Sequence, residues 1–180
     1  MPNFTKLPTF SKAHINLVIE TPRGSAAKFA YDAEKQYFKF SHPLPAGITY
    51  PYDWGFIPST LGEDGDPLDG LLIHEAACPP GLVIKCEVLG ALTVHQSEKG
   101  QHFRNDRYLL CPIKEDAEDE DEVAGGISDK LKSEIEQFFL ASVLNTDKKV
   151  KFEGWQKRKE ALKGIKKGQK LFAKKEAGGE

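Results

Sequence analysis

Three carboxylates fall within six residues in Asp64-Gly65-Asp66-Pro67-Leu68-Asp69. Like charges this close repel one another, and a fold that gathers them is most stable with a cation among them. Donor sets built only from oxygen favour hard divalent ions, Mg²⁺ above all, and Mg²⁺ commonly brings phosphate groups with it. Asp-Gly-Asp-Pro is also good turn chemistry, so a solvated acidic turn is the simpler alternative. The flanks favour the metal site, because Trp54-Gly55-Phe56-Ile57-Pro58 before it and Leu71-Leu72-Ile73 after it read as buried strands. A calcium loop of the EF-hand type does not fit. Glu75 does fall twelfth from Asp64, but Leu68 takes the fifth place, Asp69 stands where Gly is required, and no long helix precedes.

The elements that must position this cluster are mostly short strands over the first 110 residues or so. Ile15-Asn16-Leu17-Val18-Ile19-Glu20 is a β-rich run ending in a carboxylate before Thr21-Pro22-Arg23-Gly24. Lys28 to Asp32 and Tyr37 to Phe40 alternate, and Leu71 to Ile73, Gly81 to Leu89 and Tyr108 to Cys111 follow between Pro and Gly turns. Such punctuation suggests a small barrel or sandwich. Helices come late. Ser128 is a plausible N-cap, with Leu131, Ile135, Phe138, Phe139 and Val143 on one face. A last helix is expected from Trp155 to about Lys175, weakened by Gly164 and Gly168, with a flexible tail over about 176–180. The acidic block at 115–122 reads as a solvated, self-repelling loop that the lysine-rich C-terminus could neutralise. No repeat or linker divides the chain, so 1–180 is expected to be a single domain.

With 39% hydrophobic and 29% charged residues, the composition is that of an ordinary globular protein. A net charge of −2 argues against nucleic acid as a partner. No run approaches the length of a membrane span, and the N-terminus has no basic-then-apolar pattern. Cys78, Cys86 and Cys111 show neither metal nor disulfide spacing. Together these point to a cytoplasmic protein.

The acidic cluster followed by an apolar strand resembles the signature of the soluble family I inorganic pyrophosphatases. Val18-Ile19-Glu20-Thr21-Pro22, Tyr50-Pro51, Gly55-Phe56-Ile57-Pro58, Pro80-Gly81-Leu82-Val83-Ile84 with Gly90, Phe138-Phe139 and Lys151-Phe152-Glu153-Gly154-Trp155 resemble further landmarks in order, over roughly residues 15 to 165. The resemblance implies an α+β fold, a small closed OB-like β-barrel flanked by C-terminal helices. It also implies Mg²⁺-dependent hydrolysis of pyrophosphate, or a related phosphoanhydride, by a metal-activated water, in a homo-oligomer that is often a hexamer. Carried over by position, Asp64 and Asp69 resemble metal ligands, Asp66 the general base, and Glu20 an outlying carboxylate reaching a further metal. Lys28 and Tyr50 resemble phosphate-binding groups. The types suit the chemistry: carboxylates hold cations and accept a proton, while cations and phenols face phosphoryl oxygens.

Several family positions are altered. His42 stands in place of an arginine, Trp54 in place of a phosphate-binding tyrosine, and Ala30 in place of a carboxylate. Ala141-Ser142-Val143-Leu144 replaces a Tyr-Lys pair on the helix. The stretch between Gly90 and Pro112 reads as a lengthened loop that puts Gln96 or Ser97 at one metal-binding aspartate and Asn105 at the next, with Arg107 replacing a lysine. A β-bulge could return Asp106 to the site as a metal ligand, and Glu98 could supply the other missing carboxylate. His42, Trp54 and Arg107 then count as substrate-binding candidates, in a pocket expected to be wider and less positive, with Trp54 offering a stacking surface. The alternative is a catalytically impaired relative that binds another phosphorylated ligand or serves as an assembly partner.

Overall fold

The computed structural model describes residues 3–113, 126–144 and 146–178. The acidic block at 115–122 lies outside them. The described residues form ten strands: β1 (Phe10–Ser11), β2 (His14–Thr21), β3 (Ala27–Asp32), β4 (Tyr37–Pro43), β5 (Asp53–Ile57), β6 (Leu68–Leu72), β7 (Val83–Glu98), β8 (Gln101–Arg104), β9 (Arg107–Pro112) and β10 (Lys149–Lys157). Two helices follow the barrel strands in the chain, α1 (Asp129–Ser142) and α2 (Arg158–Ala177). The fold is α+β, a ring-like sheet with two C-terminal helices.

Pairing runs β2–β5–β6–β9–β7, and the first half of β7 pairs again with β2, so these strands form a ring. Only β6 and β9 are parallel; the other ring pairs are antiparallel. β7 is long enough to serve β2 at its start and β10 and β8 at its end. β3 and β4 form a separate hairpin. Strand alternation then decides which residues share a face. On one face Trp54, Leu71, Leu92, Val94 and Leu109 pack with Ile135, Phe138 and Phe139 of α1. On the other, Ile19, Ile57, Leu72, Tyr108 and Leu110 pack with Ala161 and Ile165 of α2.

Local chemistry follows the sequence closely at α1, where Ser128 accepts from the Leu131 N–H at 3.2 Å and Ile135, Phe138 and Phe139 are buried. Four expectations are corrected. Trp155 belongs to β10, and the last helix begins at Arg158. The two glycines of α2 are sites of close approach: a Cβ at Gly164 would lie 2.4 Å from Tyr108 Oη, and one at Gly168 would lie 2.7 Å from Leu68 Cδ1. The stretch after Gly90 is no loose loop. It is a tight hairpin of β7 and β8 turning at Lys99-Gly100, both with positive φ (50° and 81°). The expected flexible tail begins too early as well, since Glu176 lies in α2 and accepts from Lys6 Nζ at 2.7 Å; residues 179–180 lie outside the described chain. Among the described residues, no helix is long and apolar enough to cross a membrane.

Candidate active site

The signature lies where β5 hands over to β6. Thr60 Oγ1 donates to Ile57 O at 2.6 Å and accepts from the Leu68 N–H at 3.0 Å, clamping the base of the turn. Within it the Gly62 N–H reaches Asp66 O at 2.8 Å, and Gly65 takes a φ of 87° that favours glycine. Asp64 Oδ1 accepts from the Asp66 N–H at 3.2 Å, which turns Asp64 inward and leaves Asp66 exposed. Asp69, two residues before Leu71 on β6, shares the α1 face of the sheet.

Asp64, Asp66 and Asp69 line one cleft of about 860 Å³ with Lys28, His42, Tyr50, Trp54 and Arg107. Lys28 and His42 are cross-strand partners on the β3–β4 hairpin. Arg107 is the register partner of Asp69 on β9, and its Nη1 donates to Asp69 Oδ2. Its Nη2 donates to Gln96 Oε1 at 3.2 Å. Asn105 Nδ2 donates to Asp64 Oδ2 at 2.8 Å. Gln96 and Asn105 thus face the acid cluster as neutral amides. Glu98 also lines the cleft, where Lys148 holds it at 3.2 Å.

Asp106 is a correction. Strand alternation points it away from Arg107, and no bulge returns it. Its carboxylate takes both Arg104 Nε (2.9 Å) and Nη2 (2.7 Å), with Gln156 Nε2 at 2.8 Å and the Val94 N–H at 3.3 Å. It does not line the cleft and is withdrawn as a metal ligand. Trp54 is also corrected. It is only 4% exposed, and the Lys28 ammonium and the Arg107 guanidinium lie 5.5 and 5.1 Å from its ring. It packs edge-on against Phe139 at 5.7 Å. No open face remains for stacking a ligand, so Trp54 is a platform for cations rather than a wider pocket.

Glu20 lies on β2, buried and outside the cleft wall. Burial pushes its carboxyl up to about 7, against the lowering effects of the Tyr31 N–H (2.7 Å) and of Lys28, while Asp69 and Asp66 raise it further. Unfolded, it titrates near its ordinary 4.5. Between those values the folded state binds more protons, so this contribution is fully present below about 4.5 and is lost as pH rises through 7. A displacement of that size corresponds to about 3 kcal/mol. Urea unfolding of the metal-free protein should show stability falling between about pH 4.5 and pH 7, and Glu20→Gln should flatten that fall. An equally steep fall in the variant would assign it elsewhere.

Burial raises the Asp64 carboxyl, the Asp66 N–H opposes this, and Asp69 adds to it. Burial lowers His42, helped by Lys28 and Lys148, so its imidazole is held neutral rather than cationic. Burial likewise carries the Tyr50 phenol far above its usual range, helped by the Asp69 and Glu20 charges, and keeps it a hydrogen-bond donor.

Three charged cleft residues, Lys148, Glu63 and Lys99, were not singled out from the sequence. Lys148 is inconspicuous within a lysine-rich stretch, and only the pairing of β10 with β7 brings that stretch to the cleft. Glu63, which accepts from the Arg104 N–H at 2.9 Å, directly precedes the signature, and its position there was the available signal.

The donor chemistry of the acidic wall suits a hard divalent cation. Among the described residues, no group of such donors yet stands close enough together to hold one. Asp64 and Asp69 are engaged by Asn105 and Arg107. Across the cleft, Lys28, Arg107 and Lys148 present positive charge, which suits phosphoryl oxygens.

A ring-like sheet of this topology with an acidic wall facing a basic one defines a phosphate-handling site. The sequence profile described as inorganic pyrophosphatase matches residues 17–173. An inorganic pyrophosphatase of Thermus thermophilus is 39% identical over 171 residues, covering 92% of this chain and 95% of its own. One from Nanoarchaeum equitans is 38% identical, covering 87% and 96%. The crystal structure of inorganic pyrophosphatase from Thermus thermophilus superposes with a TM-score of 0.84 at 35% identity, over 96% of this chain and 99% of that one. The chain belongs to the inorganic pyrophosphatase family.

Proposed function

We propose that this chain hydrolyses inorganic pyrophosphate to two phosphates in the cleft at the Asp64–Asp69 turn. Water adds to one phosphorus, the bridging P–O bond breaks, and the second phosphate leaves with the electron pair. The observation that carries this reading is the convergence of the three signature aspartates with Lys28, Tyr50 and Arg107 on one cleft, in a chain of this family. An impaired binding protein is the less favoured reading.

Each side chain has a part that its surroundings support. Asp66 is exposed to the cleft, and among the described residues its carboxylate accepts no hydrogen bond, so it is the group placed to take the proton from the attacking water. Lys28 and Lys148 face the oxygens on which charge builds, and the protonated Tyr50 phenol donates to them. His42, held neutral, contributes a hydrogen bond in place of a full charge. Asp64 and Asp69 would hold Mg²⁺, with Glu20 as a more distant carboxylate. When bound, Mg²⁺ neutralises phosphoryl charge and makes water more acidic.

We place the protein in the cytoplasm, which the three free cysteines support, and read it as a homo-oligomer, in line with the exposed Leu140 (50%) and Leu144 (57%) beside α1's buried face. Phosphate release from pyrophosphate by the purified protein, with Mg²⁺ and with chelator, tests the assignment. Failure to release phosphate at saturating Mg²⁺ would overturn it.

A further inference from the structure

Arg107 is the most heavily committed charge in the cleft. It is 7% exposed, with Nη1 on Asp69 and Nη2 on Gln96. Its guanidinium lies 5.1 Å from the Trp54 ring and 5.5 Å from Phe139. Its Nε, by contrast, is buried with no hydrogen-bond partner among the described residues. Burying a donor without an acceptor is costly, so this arrangement leaves the guanidinium incompletely satisfied. A guanidinium released from Asp69 would be free to bring this donor to an anion in the cleft.

The contact with Asp69 is built into the backbone, since the two residues are register partners on parallel strands. Nor is the guanidinium shared with a second acid of the cluster. Gln96, its other partner, is an amide, and Asp64 is engaged by Asn105. Asp69 therefore faces an internal cation where a divalent ion would otherwise sit.

We infer that Arg107 and a divalent cation exchange on Asp69: the cation displaces the guanidinium, and the freed N–H groups turn to the phosphoryl oxygens of the substrate. This rests on the reading that the cleft takes a divalent cation. The exchange lowers the affinity of the empty cleft for metal and links metal binding to anion binding through one side chain.

Mn²⁺ binding to the full-length protein without phosphate, followed by electron paramagnetic resonance, reads the exchange directly. Native protein is compared with Arg107→Met and with Lys28→Met. Lys28 sits over the same Trp54 ring and has no ion pair among the described residues, so its loss removes equal charge without freeing a ligand. Arg107→Met should tighten Mn²⁺ binding by about tenfold or more, and Lys28→Met by much less. Equal gains in the two variants, or none in Arg107→Met, would overturn the exchange while leaving the metal reading in place. No Mn²⁺ binding by any of the three would overturn both. Should Arg107→Met not fold, nitrogen NMR of the native arginine side chains during Mg²⁺ titration decides the matter. Arg107 signals should move as the site fills, and unchanged signals at saturation would refute exchange.

Discussion

Asp66→Asn is expected to lower turnover of pyrophosphate by about a thousandfold, within the range typical of a lost general base. Asn has the shape of Asp but accepts no proton at neutral pH. The residue is exposed, and its carboxylate carries no hydrogen bond among the described residues, so the fold should be unaffected. Thermal unfolding of the variant should match the native protein, which separates loss of chemistry from loss of structure. The steady-state rate with saturating Mg²⁺ is the readout. Native-like turnover would remove Asp66 as the base. Asp106 could not take its place, because Arg104 and Gln156 hold it on the opposite face. Glu98, which lines the cleft beside Lys148, would then be the candidate base.

Trp54→Ala is expected to have the largest effect on stability, about 3–5 kcal/mol. The ring is 4% exposed and packs against Tyr50 at 6.0 Å and Phe139 at 5.7 Å. Removing it leaves a void beneath the cleft and takes away the surface on which Lys28 and Arg107 rest. Both cations then lose position, and the KM for pyrophosphate should rise by about tenfold or more. Trp54→Phe keeps a ring and should recover most of the stability and much of the affinity. Urea midpoints and KM values of the two variants are the measurements. A Trp54→Ala protein as stable as Trp54→Phe, with unchanged KM, would show that the ring does not organise the cations.

The acidic signature, its flanking strands and the capped α1 were legible because each rests on local chemistry: like charges in a turn, alternation in β6, and Ser128 ahead of an apolar helical face. What the sequence hid was non-local. β10 alternates over Lys149–Glu153, but the bulge at Gly154 breaks that pattern just before Trp155, so Trp155 looked like the start of the helix. Gly164 and Gly168 weaken a helix considered alone, but in the fold they let α2 approach Tyr108 and Leu68 closely. Asp106 failed as a metal candidate because a single residue of register inverts a side chain's face. Trp54 looked like a stacking surface because sequence cannot show that Lys28 and Arg107 already occupy its surroundings. In the cleft, residue types were readable; their pairing was not, and the Asp69–Arg107 contact emerges only when β6 and β9 run parallel.

On the proposed function, a divalent cation and the acidic cluster act together on pyrophosphate in this cleft. Phosphate release from pyrophosphate, measured on one preparation before chelation, after chelation and after Mg²⁺ is restored, tests it most directly. Steady release is expected with Mg²⁺, a fall to background on chelation, and recovery when Mg²⁺ returns. Release that persists undiminished without divalent cations, or none at saturating Mg²⁺, would contradict it.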